Sequence, residues 1–111
     1  MTKPDSREIL DSLYEVILGR RDSPTENSYV SSLYRCGLDK ILSKIGEEAA
    51  ETVIAGKGGN PDEVVKETAD LFFHVLVLLG HFNLPPDLIL EELRRRFGVS
   101  GLEEKKNRPS P

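Results

Sequence analysis

The sequence predicts an all-α, four-helix-bundle-like domain that works as an oligomer. Four segments repeat apolar residues at intervals of three and four, the period of an amphipathic helix. Between the second and third segments, Gly56-Lys57-Gly58-Gly59-Asn60-Pro61 cannot continue a helix and reads as the tip of a hairpin. From Leu71 onward the third segment is apolar nearly all round, apart from one polar stripe. Such a helix needs burial on several sides, and a monomer of 111 residues has few helices to provide it. An oligomer whose interface uses this helix is therefore expected.

Residues 1–111 are expected to form a single domain, with a helical core over about 6–97 and a mobile charged tail over 98–111. Asp5 and Glu8 have capping-box spacing, and Ile9, Leu10, Leu13, Tyr14 and Ile17 follow at helical intervals. A first helix is predicted from about Ser6 to Leu18, ending near Gly19. Residues 20–27 are polar, contain Pro24 and read as a loop. Ser28 to Tyr34 permits extended chain by its β-branched and aromatic content, while its neighbours favour a short helix. The second main helix is placed at about Leu38 to Ala55, with Leu38, Ile41, Leu42, Ile45, Ala49, Thr52 and Val53 on one apolar arc. Gly46 inside it implies close approach by another helix or a ligand. The third helix opens on Asn60 as N-cap, Pro61 in the first position and Glu63 completing a capping box, and should run to about Phe82. Pro86 then opens a fourth helix through Ile89, Leu93 and Phe97. Arg94, Arg95 and Arg96 suit its C-terminal dipole, and Gly98 to Gly101 stop it.

Composition narrows the function classes. No apolar run approaches the roughly 18 residues of a spanning helix, and the longest, Leu71 to Leu79, is broken by His74. The N-terminus mixes Lys3, Asp5, Arg7 and Glu8 without a signal-peptide pattern, so a cytoplasmic protein with no membrane partner is expected. The net charge of -4 argues against nucleic acid as a partner. A lone cysteine, Cys36, excludes an internal disulfide and a cysteine-based zinc site, and nothing beside it resembles a base.

The chemistry concentrates in the hairpin. Carboxylates three apart share a helical face, so Glu48 with Glu51 and Glu67 with Asp70 form two acidic pairs. Glu51 and Glu67 each lie roughly 8–9 Å from the predicted tip, which levels the pairs once the hairpin closes. Glu48 borders the apolar arc, where charge is costly and a bound ion is worth more. Glu47 and Glu51 repel at i,i+4, which a purely solvated surface has little reason to keep. All-oxygen ligands select a hard cation, Mg²⁺ or Mn²⁺, and Mg²⁺ held by a few carboxylates commonly also binds phosphate. Lys44 and Lys40 share the ligand face and Lys57 sits at the tip, all three either solvated or phosphate-binding; Arg20, Arg21 and Arg35 are weaker candidates. His74, one turn after Asp70, reads as a core histidine or as the partner that steadies a ligating carboxylate. A di-iron bundle would want Glu-x-x-His on two helices, and Glu67-Thr68-Ala69-Asp70 has aspartate where that histidine belongs.

Glu-x-x-Glu, a gap of about fifteen residues and Glu-x-x-Asp resemble the metal motif of the MazG-like all-α nucleoside triphosphate pyrophosphohydrolases. The wider stretches Ser28-Tyr29-Val30, Gly37 to Lys44, Gly46 to Glu51, Ala55-Gly56-Lys57 and Glu67 to His74 are similar to the phosphoribosyl-ATP pyrophosphohydrolase family of histidine biosynthesis. The resemblance spans roughly residues 8 to 105. Val30 departs from it, since many members carry threonine after Ser-Tyr, which weakens any role for a hydroxyl there. The resemblance implies a MazG-like fold and hydrolysis of 1-(5-phosphoribosyl)-ATP to 1-(5-phosphoribosyl)-AMP and pyrophosphate. Without a fused cyclohydrolase domain, that step alone is expected. Glu48, Glu51, Glu67 and Asp70 would hold Mg²⁺, Glu47 or Glu51 would serve as general base, and Lys44, Lys40 and Lys57 would contact the nucleotide's phosphates. Two alternatives stay open: a housekeeping dNTP pyrophosphohydrolase of the same superfamily, and a non-enzymatic helical dimerisation module.

Overall fold

The computed structural model describes residues 8–98, and these form five helices with no strand among them. In chain order they are α1 (Ile9–Asp22), α2 (Tyr29–Cys36), α3 (Leu38–Gly58), α4 (Pro61–His81) and α5 (Pro86–Phe97). The all-α expectation holds. No single described helix is long and apolar enough to cross a membrane.

Helix α1 continues through Gly19 to Asp22, past its expected end. The last turn is held by long-range ties. Arg21 donates from Nη1 to the Gly80 carbonyl at 2.6 Å and to Asn83 Oδ1 at 2.7 Å. The predicted Asp5 cap and Ser6 start lie outside the described residues, while Glu8 occupies the N-cap without a side-chain capping bond.

The ambiguous segment is helical as α2. Ser28 adopts an extended backbone and its hydroxyl accepts from the Ser31 amide at 3.1 Å, which starts the helix. Ser31, fully buried, donates to the Arg20 carbonyl at 2.9 Å and accepts from the Thr25 amide at 3.1 Å. That stitching fixes where α2 leaves α1. Gly37, at φ 96°, ends α2 and opens α3 in one residue, a backbone that L side chains rarely adopt.

Helices α3 and α4 form an antiparallel hairpin with the most extensive contact in the molecule. The break between them is tighter than expected: Gly56, Lys57 and Gly58 remain helical, and the reversal falls at Gly59, φ 78°, and Asn60. Gly59 donates its amide to the Ala55 and Gly56 carbonyls, 3.2 Å each, so the ladder outlasts the glycines. The extra residues move Glu51 about 4.5 Å further from the turn than predicted. Asn60 and Pro61 start α4 as expected, with Asn60 Oδ1 accepting from the Asp62 amide at 3.0 Å and the Glu63 amide at 3.4 Å. Helix α5 starts at Pro86 and leaves α4 at 111°. Its C-cap is Gly98; the rest of the predicted stop and the tail lie outside the described residues.

The core fills the open end of the hairpin. Tyr14 and Ile17 from α1, Val30 and Leu33 from α2, Ile41 from α3 and Leu76, Val77 and Leu79 from α4 are buried together. The apolar arc predicted for α3 is rotated: Ile41 is buried, but Leu42 is 46% exposed and Val53 is 70% exposed. Helix α4 is the main partner of α3, and the buried stripe passes through Glu48 and half-buried Thr52. Among the described residues nothing closes on Gly46: a Cβ there would meet no atom within 4 Å.

Gly80 is the close approach that matters. The Tyr34 hydroxyl donates to the Val77 carbonyl at 2.6 Å, and a Cβ on Gly80 would overlap that hydroxyl. Burial pushes the Tyr34 hydroxyl's pKa up to about 12, partly opposed by Arg21. Gly80→Ala is expected to destabilise the fold by about 1–3 kcal/mol through overpacking. Urea unfolding measures it, and adding Tyr34→Phe to Gly80→Ala should recover part of the loss.

Candidate active site

The hairpin brings three carboxylates together at mid-length. One oxygen each of Glu48 on α3 and of Glu67 and Asp70 on α4 lie within 4.8 Å of one another. Glu48 is only 8% exposed, because the stripe it occupies faces α4. Its Oε2 and the Oε2 of Glu67 are buried without a hydrogen-bond partner. Buried carboxylate oxygens without donors are costly. The Glu67 carboxyl is pushed up to about 6, first by its hydrogen-bonding contact with Glu51, then by burial and by the charges of Glu51, Asp70 and Glu48. Glu51 therefore belongs to the same group through Glu67.

This donor set fits a hard divalent cation. It is all oxygen, it converges from two helices, and two of its buried oxygens have no hydrogen-bond donor. The cluster could hold a metal; which metal is a separate question.

Lys44 closes one side, with Nζ 3.0 Å from Glu47 Oε2 and 3.8 Å from Glu48 Oε1. The Lys44 bond holds the Glu47 carboxyl below the ordinary range, and Glu47 in turn raises Lys44. Lys40 is exposed, near enough for its charge to act on Glu47. Lys57 is exposed in the last turn of α3, roughly 9 Å along the axis beyond Glu51. Arg20 and Arg21 are engaged with Thr25 and with Asp22, Gly80 and Asn83, where they hold the fold. Arg35 and Cys36 are exposed at the end of α2.

His74 is 5% exposed, with Nδ1 2.7 Å from the Asp70 main-chain carbonyl and Nε2 2.8 Å from the Tyr29 hydroxyl. A carbonyl can only accept, so Nδ1 carries the proton and Nε2 accepts from Tyr29. The histidine thus meets the backbone of Asp70 instead of its carboxylate. Sequence reasoning assigned no role to Tyr29, which lies forty-five residues from His74. Its ring stacks on Phe73 at 6.3 Å between centroids, and burial raises its hydroxyl pKa with Lys44, Glu48, Glu47 and Asp70 all close enough to act on it. The Ser-Tyr dipeptide in the family stretch was the signal available; nothing in helical spacing points to it.

Fold and site define an all-α protein whose helical hairpin presents a carboxylate cage beside a lysine. Residues 10–97 match the family model described as phosphoribosyl-ATP pyrophosphohydrolase. A protein of Geotalea daltonii named phosphoribosyl-ATP pyrophosphatase is 59% identical over 101 residues, covering 91% of this chain and 95% of its own. Proteins of the same name from Pelobacter propionicus and Methylococcus capsulatus are 58% and 54% identical, covering 94% and 91% of this chain and 96% of each relative. The chain belongs to the phosphoribosyl-ATP pyrophosphohydrolase family.

Glu67→Gln removes one charge from the crowded cluster. In metal-free protein at pH 7 it should raise the thermal unfolding midpoint above wild type. It should also abolish the further rise expected of the wild type with a millimolar divalent cation. Differential scanning calorimetry with and without the cation checks both.

Proposed function

We propose that this chain hydrolyses 1-(5-phosphoribosyl)-ATP to 1-(5-phosphoribosyl)-AMP and pyrophosphate, the second step of histidine biosynthesis, in the cytoplasm. The observation that carries the reading is the family match across residues 10–97, which includes every member of the carboxylate cluster. Relatives sharing more than half their residues with nearly the whole chain bear the corresponding enzyme name. The domain acts as one unit spanning the chain, with no nucleic-acid partner.

Glu48, Glu67 and Asp70, joined by Glu51, would hold Mg²⁺, with Mn²⁺ as a substitute. Bound there, the cation would neutralise phosphate charge and the charge that builds on departing pyrophosphate. Lys44 reaches phosphate oxygens from the same face, helped by Lys40. Lys57 reaches the nucleotide from the tip. The reaction breaks a phosphoanhydride P–O bond and forms a new P–O bond to water, whose proton passes to a carboxylate. Glu51 suits that role better than Glu47. Glu47 is already bound to Lys44, which lowers its basicity, whereas Glu51 sits beside Glu67 within the cluster. His74 and Tyr29 hold the Asp70 turn of α4 in place.

The protein is further proposed to be a homodimer or larger homo-oligomer, with a four-helix core built from the hairpins of two copies and a MazG-like fold. The support is apolar surface: Phe72, Ile89, Leu90 and Leu93 line a groove of about 380 Å³ between α4 and α5, and Phe72 is 57% exposed. Phe72→Lys should therefore convert the assembly to monomer in light scattering at micromolar concentration.

A Mg²⁺-dependent assay of pyrophosphate release from phosphoribosyl-ATP, beside a panel of dNTPs, tests the function. Glu48→Ala and Asp70→Ala should each lower turnover by at least a thousandfold with helix content retained. Near-normal release from either variant at saturating Mg²⁺ would sink the metal assignment, and preference for dNTPs would replace the substrate.

A further inference from the structure

Tyr29 is 48% exposed, although it heads a helix whose residues Val30 and Leu33 are buried. The ring is nevertheless held. Its hydroxyl donates to His74 Nε2 at 2.8 Å, Phe73 stacks beside it at an interplanar angle of 22°, and the His74 ring meets it edge-on at 5.7 Å between centroids. Its backbone is fixed too: Ser28 caps the helix in front of it, and the Ser32 hydroxyl donates to the Tyr29 carbonyl at 2.6 Å. Among the described residues the other exposed aromatics lie elsewhere. Phe72 lines the groove between α4 and α5, Phe82 follows α4 and Phe97 ends α5. Tyr29 stands beside the cluster, with Lys44, Glu48, Glu47 and Asp70 all near enough to act on its hydroxyl.

We propose that the Tyr29 ring is the platform on which the base of the nucleotide stacks, and that it favours an adenine substituted at ring nitrogen N1. The inference rests on the nucleotide reading above and names the residue that recognises the base. The hydroxyl's one proton is committed to His74, so phosphate oxygens at either end of the ligand find no donor on Tyr29. Phosphate and ribose have no flat π surface either, and only the purine can lie on the ring. Stacking on an aromatic side chain is worth enough to decide where a base sits, and a ring already fixed by its neighbours loses little freedom in accepting one. The substitution adds charge. A sugar on N1 turns adenine into an amidine base that is protonated at neutral pH, so the base of the substrate is a cation where that of ATP is neutral. A flat cation is attracted to the face of a tyrosine. The same ring thus separates phosphoribosyl-ATP from unsubstituted nucleotides, by a contact that no phosphate-binding group makes.

The test measures by calorimetry the binding of three ligands that lack a phosphoanhydride and so cannot turn over: 1-methyl-AMP, AMP and ribose 5-phosphate. Wild type should bind 1-methyl-AMP at least tenfold more tightly than ribose 5-phosphate, and about three- to tenfold more tightly than AMP. Tyr29→Leu should bring 1-methyl-AMP to the level of ribose 5-phosphate, while ribose 5-phosphate itself stays within twofold of wild type. Tyr29→Phe, which keeps the ring and loses the bond to His74, should bind 1-methyl-AMP within threefold of wild type. Unchanged 1-methyl-AMP binding by Tyr29→Leu, or no gain from the methyl group in wild type, would overturn the proposal. So would equal losses in Tyr29→Phe and Tyr29→Leu, which would give the effect to the His74 bond instead of the ring. Because no readout uses turnover, a failure to hydrolyse phosphoribosyl-ATP would count against the proposed reaction and leave this result standing.

Discussion

Like charges held at short range inside a two-helix hairpin are the constraint on which the rest of this structure depends. Glu48, Glu67 and Asp70 converge within 4.8 Å, and two of their oxygens are buried without a donor. A hairpin with that arrangement at its middle needs support elsewhere to stay closed. It comes from the open end, where α1 packs on α4 and α2 packs on α1 and α3. Tyr34 bonds the Val77 carbonyl, Arg21 bonds the Gly80 carbonyl and Ile17, Leu33, Ile41 and Val77 pack without solvent. The core lies at one end and the electrostatic penalty beside it, so the fold's stability is spent on keeping ligands aimed at one point.

Helix α4 links the two halves. Its C-terminal half supplies Leu76, Val77 and Leu79 to the core, while its N-terminal half supplies Glu67 and Asp70 to the cluster. His74 stands where they meet, buried, joined to the Asp70 backbone on one nitrogen and to Tyr29 of α2 on the other. The short helix α2 thus supports the cluster even though none of its residues is among the three carboxylates. Its placement comes from Ser31 and Ser28, whose small hydroxyls hold the loop after α1.

What the sequence revealed was local. Asn60-Pro61 marks a helix start by capping chemistry alone, as expected. Of the four carboxylates paired by spacing within each helix, Glu48, Glu67 and Asp70 converge, and Glu51 touches the group through Glu67. The hairpin tip lies further along than the sequence predicts, because the cost of about 1 kcal/mol per glycine is small for a helix that already runs from Leu38 to Ala55, and α3 carries on through Gly58. The apolar arc of α3 was misjudged for another reason. Hydrophobicity says which residues gain from burial, but the partner decides, and Leu42 and Val53 lie off the stripe that runs through Ile41, Glu48 and half-buried Thr52. Tyr29 with His74, Tyr34 with Gly80 and Arg21 with Asn83 join residues more than forty positions apart, and no periodicity carries that information.

The central claim is that the carboxylates between α3 and α4 form one cation site. Anomalous X-ray scattering from crystals of the protein grown with Mn²⁺ tests it most directly. The account predicts a peak enclosed by Glu48, Glu67 and Asp70 with Glu51 alongside. A fully occupied peak elsewhere on the chain, with these four carboxylates free of metal, would contradict it.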